Sequence, residues 1–192
     1  MIIGVDIDDT LSDIYRLKRR KIGKYLKDNK LKFKLINKNT NFVSKMFDWP
    51  DTEWRKFWCE HADKMLSTAK PRRNVAKVLK KLHDEGNKIL IITARTTEWH
   101  KDPYKLSSEW LDKNGIVYDE LLVGYESKTD IVLEKKVDFF IDDQPANVEE
   151  LSKYNLQTAL MCARQNKNYV NEKVLRFRNW NQVYRYLKSI KA

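Results

Sequence analysis

The stretch Met1-Ile2-Ile3-Gly4-Val5-Asp6-Ile7-Asp8-Asp9-Thr10 decides the fold. Its first half is apolar at nearly every consecutive position. Such a run suits a strand buried on both faces, as in a parallel sheet. Its second half turns abruptly acidic. In an open α/β sheet, ligands bind beyond the carboxyl ends of the strands. The opening ten residues therefore predict a buried strand that delivers Asp6 and Asp8 to a site.

Working outward, residues 88–92, 137–141 and 158–161 repeat the pattern, and 120–123 does so more weakly. Helical periodicity fills the intervals. Val75, Val78, Leu79 and Leu82 share one face before Gly86, and Trp110 and Leu111 precede Gly115. Val148 and Leu151 mark a third helix, and Val183, Tyr186, Leu187 and Ile190 a fourth. Strands alternating with helices predict an α/β fold, a Rossmann-like parallel sheet flanked by helices.

Two more of these strands end in chemistry. The run 89–92 leads into Thr93-Ala94-Arg95, and 139–141 leads into Asp142-Asp143. Parallel strands bring such ends to one edge of the sheet. Asp6, Asp8, Asp142 and Asp143 gathered there would repel one another, and burial would raise their pKa values. A divalent cation relieves both problems. Clustered carboxylates favour a hard ion, which makes Mg²⁺ the expected cofactor. No histidine cluster accompanies them, which argues against zinc. Arg95 either contacts the substrate or pairs with an acid. His61, His83 and His100 are scattered and suggest no role.

Residues 6–87 are too many for one crossover helix. The excess, 12–69, reads as a helical insert after the first strand, with residues 1–11 and 70–192 forming the core. Its first half is basic: residues 16–38 hold eleven Lys/Arg against one acid, Asp28. That block reads as a solvated helix face or a nucleic-acid surface, and its field favours anionic ligands either way. Its second half is rich in Phe and Trp, and Pro50-Asp51 marks a helix start. No apolar run approaches the ~18 residues that span a bilayer. The N-terminus lacks a signal-peptide pattern, so a cytoplasmic protein is expected. Cys59 and Cys162 form no metal or redox motif and are expected to be free, buried thiols.

The ordered set Asp6-Ile7-Asp8-Asp9-Thr10-Leu11, Thr93, Lys128 and Asp142-Asp143 resembles the four motifs of the haloacid dehalogenase (HAD) superfamily, phosphatase branch. That resemblance implies Asp6 as nucleophile, forming an aspartyl-phosphate, and Asp8 as acid and base. It implies phosphate binding by Thr93, Ala94, Arg95 and Lys128. It implies Mg²⁺ held by Asp6, the Asp8 backbone carbonyl and Asp142, with Asp143 close by. An acid role for Asp8 requires a raised pKa, expected from the neighbouring carboxylates. Asp9 stands where the superfamily commonly has Gly.

Thr93-Ala94-Arg95, Glu109-Trp110-Leu111 and Asn147 are similar to the 5'(3')-deoxyribonucleotidase group and its bacterial relatives. The similarity implies hydrolysis of (deoxy)nucleoside monophosphates beneath a helical cap, with Phe42, Phe47, Trp49 and Trp58 as candidates to stack on a base. Two other readings stand beside it. One is a phosphatase of nucleic-acid ends or another sugar phosphate. The other is a non-catalytic nucleic-acid-binding protein on the same scaffold.

Overall fold

The computed structural model describes residues 1–154 and 156–190. Six parallel strands form the main sheet: β1 (Ile2–Val5), β4 (Lys88–Thr93), β5 (Glu120–Val123), β6 (Phe139–Asp142), β7 (Gln157–Met161) and β8 (Leu175–Phe177). Their order across the sheet is β5-β4-β1-β6-β7-β8. The opening strand is thus central, flanked by the two other strands whose ends carry polar groups. In register, Val5 lies beside Ile91 and Ile141, so Asp6, Thr93 and Asp142 emerge at one edge.

Helices cover both faces of this sheet. They are α3 (Val75–Asp84), α4 (Pro103–Lys113), α5 (Thr129–Glu134), α6 (Pro145–Ser152) and α7 (Trp180–Ser189). On one face, Ile3, Val5, Ile89 and Ile91 pack with Val78, Leu79, Trp110, Trp180 and Leu187. On the other, Leu90, Ile92 and Phe140 pack with Ile131, Val132 and Leu151. Continuous apolar strands were legible because both faces are covered. Gly4 is required by close packing. A Cβ there would meet Phe140 Cδ2 at 2.6 Å.

The segment 12–69 folds as a second helical layer. It comprises α1 (Ile14–Asp28), a short 3₁₀ turn (Val43–Lys45) and α2 (Asp51–Thr68). Ile14, Ile22, Tyr25, Met46, Trp49, Phe57 and Met65 form its own apolar core. The chain leaves through β2 (Ser12–Asp13) and returns through β3 (Lys70–Pro71), and these two pair antiparallel. The core assignment 70–192 also covers Asn155, Lys191 and Ala192, which lie outside the described residues.

Three sequence expectations need correction or addition. The strand β8 and helix α5 were not anticipated; each is too short to show periodicity. Cys59 and Cys162 are free, but neither is fully buried. Cys59 lies on the outer face of α2, and Cys162 follows the end of β7. Among the described residues, no helix is long and apolar enough to cross a membrane.

Candidate functional site

The strand ends meet in a cavity of about 600 Å³ between the sheet edge and the helical layer. Asp6, Asp8, Thr93, Ala94, Arg95, Lys128, Asp142 and Asp143 all line it. The structure thus brings together all eight of these expected residues.

Asp6 continues β1, and its backbone N–H donates to Ile141 O at 3.1 Å. A tight turn follows, closed by the N–H groups of Leu11 and Ser12 onto Ile7 O at 2.9 Å. Asp9 sits in this turn with φ +61°, the left-handed conformation that Gly adopts most easily. Its Oδ1 compensates by accepting from the backbone N–H of Ile14 (3.1 Å) and Tyr15 (2.9 Å). A carboxylate at those first-turn donors also suits the α1 dipole. The Gly-to-Asp departure therefore ties the site turn to the helical layer.

Asp6, Asp142 and Asp143 each place a carboxylate oxygen within 4.8 Å of the others, all buried. Lys128, at the start of α5, sets Nζ between two of them, 2.6 Å from Asp6 Oδ1 and 2.7 Å from Asp142 Oδ2. One cation against three buried carboxylates leaves the cluster short of positive charge. Burial accordingly pushes the Asp6 carboxyl up to about 7, with Lys128 opposing and Asp142 and Asp8 adding to the rise. Asp143 is also driven well above the ordinary range, by burial first and then by Asp142 and Asp6. Such an oxygen-only, electron-rich cluster fits a hard divalent cation.

Asp142 is further held by the Gln144 N–H and by Asn147 Nδ2, each at 2.8 Å. Asp143 accepts from Gln144 Nε2 at 3.0 Å and from Gln165 Nε2. Buried Asn166 donates to the Asp143 and Met161 carbonyls at 2.8 and 2.9 Å. Gln165 and Asn166, in the loop after β7, thus buttress Asp143.

Asp8 turns away from this cluster. Arg95 grips it with Nε on Oδ2 at 3.0 Å and Nη2 on Oδ1 at 2.9 Å. Ser107 Oγ, accepting from Arg95 Nη1 at 3.1 Å, fixes the guanidinium. Here the structure overturns an expectation. Burial does push Asp8 up, but Arg95, helped by Lys18, outweighs it and holds the carboxyl below its ordinary value. Neighbouring acids do not prime Asp8 for an acid role, because an arginine lies nearer than they do.

The helical layer supplies Lys18, Phe42, Trp54 and Trp58 to the cavity, and the loop after β4 supplies Trp99 and His100. Phe47 and Trp49, expected as stacking candidates, belong instead to the layer's own core. Trp49 is packed against Phe57, and its Nε1 donates to Val43 O at 3.2 Å. Trp54 and Trp99 were missed. They lie 5.5 Å apart with Arg55 against both rings. Of the basic block, Lys18 alone lines the cavity, buried, with Nζ donating to Asn41 O at 2.9 Å. Arg16, Arg20, Lys24 and Lys27 face solvent.

Comparison with known proteins places this arrangement. The family model for "5' nucleotidase, deoxy (Pyrimidine), cytosolic type C protein" matches residues 1–192. A nucleotidase of Clostridium acetobutylicum is 30% identical over 185 residues, spanning 95% of this chain and 91% of its own length. A HAD-like hydrolase of Streptococcus pneumoniae shares the fold with a TM-score of 0.68 at 11% identity, over 97% of each chain. A HAD-hydrolase of Bacillus subtilis, solved bound to magnesium, does so with a TM-score of 0.62 at 12% identity, over 97% of this chain and 98% of its own. With a match over its full length and a relative at 30% identity, the chain belongs to the 5' nucleotidase, deoxy (pyrimidine), cytosolic type C family, and it has the fold of the HAD hydrolases.

Proposed function

We propose that this phosphatase hydrolyses (deoxy)nucleoside 5'-monophosphates through an aspartyl-phosphate on Asp6, in the presence of Mg²⁺. One observation carries the reading: the ends of β1, β4 and β6 bring Asp6, Asp8, Thr93, Arg95, Asp142 and Asp143 to one cavity, where Lys128 from the start of α5 joins them. The same order of groups in the sequence supports the division into a core (1–11 and 70–192) and a cap (12–69). The family description carries the word cytosolic, and we assign the same compartment.

In this mechanism Asp6 attacks phosphorus, forming a carboxyl–phosphate bond as the ester bond to the leaving oxygen breaks. Asp8 gives that oxygen a proton and then takes one from the water that hydrolyses the intermediate. Because Arg95 holds Asp8 as a carboxylate, the arginine must share its donors before Asp8 can carry a proton. An incoming phosphoryl group offers Arg95 a competing anion. Thr93 and Lys128 hold the phosphoryl oxygens as their charge develops. Asp6, Asp142, Asp143 and the Asp8 carbonyl would bind Mg²⁺, which supplies charge neutralisation when present. The aromatic wall of Phe42, Trp54, Trp58 and Trp99 suits a nucleobase better than a bare sugar phosphate.

The test is turnover of a panel of phosphate monoesters with Mg²⁺, run beside Asp6→Asn. Preference for nucleoside monophosphates, lost in the variant, supports the proposal; undiminished turnover by Asp6→Asn refutes it. A phosphatase of nucleic-acid ends would instead prefer a 3'-phosphorylated oligonucleotide. The solvent-facing basic side chains of α1 favour that second reading, but they lie outside the cavity.

A further inference from the structure

A carboxylate–histidine pair crosses the seam between the helical layer and the core. His100 Nδ1 lies 2.7 Å from Asp63 Oδ1. Asp63 belongs to α2, whereas His100 closes the turn after β4, its N–H donating to Thr96 O at 3.1 Å. The His100 side chain is only 4% exposed, yet it lines the cavity. The edge of Trp58, also from α2, packs on it with ring centroids 6.3 Å apart. Two neighbouring contacts follow the same seam: Trp54 against Trp99, and Arg55 with Glu98 at 3.9 Å. The pair thus belongs to a row in which α2 meets the loop 96–100.

A carboxylate on Nδ1 selects one role for the ring. In the neutral ring, the tautomer with its proton on Nδ1 donates to Asp63 and leaves Nε2 as an acceptor. Nε2 makes no hydrogen bond or ion pair among the described residues. His100 lines the same cavity as Asp8, beside Trp54, Trp58 and Trp99. The proposed reaction sets the nucleoside, which carries the leaving oxygen, against the aromatic wall, and Trp58 of that wall packs on the His100 ring. In a nucleotide, the atoms next to that oxygen are the sugar.

We propose that His100, oriented by Asp63, accepts a hydrogen bond from a sugar hydroxyl of the nucleotide and so selects the leaving group. The proposal rests on the nucleoside monophosphate reading above. It names a specificity residue on the core whose orientation comes from the cap. Recognition of the sugar therefore requires α2 to be seated on the 96–100 loop. A site built to bond a hydroxyl rejects an analogue that lacks it, because the buried partner is left unpaired. Asp63 is a positioning residue in this scheme.

The experiment crosses substrate and protein changes. Wild-type enzyme with Mg²⁺ is assayed on dTMP and on 2',3'-dideoxy-TMP, and His100→Phe, which keeps an aromatic ring against Trp58, is assayed on both. Wild type is expected to favour dTMP about tenfold or more in kcat/KM, and His100→Phe to lose that preference. Asp63→Ala is expected to lose most of it, while Asp63→Asn, which retains an acceptor oxygen, restores part. Equal wild-type rates on the two substrates overturn the inference without any variant, as does a full preference retained by His100→Phe. If wild type hydrolyses p-nitrophenyl phosphate but neither nucleotide, the nucleotidase reading itself fails and the inference falls with it.

Discussion

Arg95 and Asp8 form a two-pronged ion pair, with donors at 2.9 and 3.0 Å, and the arginine side chain is almost wholly buried. A buried bidentate pair fixes direction as well as charge. Asp8 is thereby aimed, although its ionisation is held opposite to what an acid needs.

Lysine cannot reproduce that fork. Arg95→Lys is therefore predicted to behave as a damaging change, lowering kcat/KM by about 10²-fold, in the range seen for lost charge-stabilising donors. Steady-state kinetics on a nucleoside monophosphate checks it. The alkaline limb of the kcat/KM pH profile, which the proton donor sets, should also shift to higher pH, since the carboxyl loses the two-pronged partner that holds it down.

Lys128 is predicted to matter for stability as much as for turnover. It is the cation between Asp6 and Asp142, all three side chains being less than a tenth exposed. Lys128→Met leaves two buried carboxylates without it, and breaking such a pair costs about 3–5 kcal/mol. Urea denaturation of the metal-free protein should show that loss, and Mg²⁺ should recover much of it.

The pH dependence of stability follows from Asp6, Asp9 and Asp143, all raised, with burial the first cause for each. A carboxyl whose folded value is raised keeps its proton after the unfolded chain has lost it. Its contribution is full below the unfolded value of 3.8 and is lost as pH climbs through the folded one, about 7 for Asp6. Asp8 carries the opposite sign: its support exists above 3.8 and fades as pH falls toward its lowered value. Between about pH 4 and 7 the three raised groups outnumber it. The metal-free protein should therefore melt at a lower temperature at neutral pH than at about pH 5. Saturating Mg²⁺, binding the folded state alone, should raise the melting temperature most at neutral pH. A melting temperature insensitive to Mg²⁺ and to chelator would contradict the carboxylate cluster as a cation site.

Gly4→Ala tests the central strand. Its new methyl meets the Phe140 ring at 2.6 Å, and overpacking of this kind costs about 1–3 kcal/mol. Thermal denaturation should reveal it. Pairing the change with Phe140→Leu should recover part of the loss.

The polar edge of the sheet was legible because its residues sit at strand ends. Apolar runs specify buried parallel strands, and the first polar residues after Val5, Ile92 and Ile141 must then converge. The long elements of the core were readable for the same reason: their faces have a period. Partner choice was not. Nothing local to Arg95 says that it closes on Asp8, since the two meet across 87 residues of chain. The buttress of Asp143 by Gln165 and Asn166, and the Asp63–His100 contact, are likewise products of packing. Among the aromatics, periodicity in 42–58 could not separate Trp54 and Trp58, which line the cavity, from Phe47 and Trp49, which fill the layer behind them. The order of the strands across the sheet, which places β1 between β4 and β6, also became visible only with the fold.

The paired crossings Ser12–Asp13 and Lys70–Pro71 give the helical layer a single narrow neck. Because departure and return are stitched side by side, the length of what hangs between them is free to drift without disturbing the β-sheet. Under the proposed function, natural variation can then retool which molecules are admitted while leaving the bond-breaking apparatus untouched, as one handle accepts interchangeable blades.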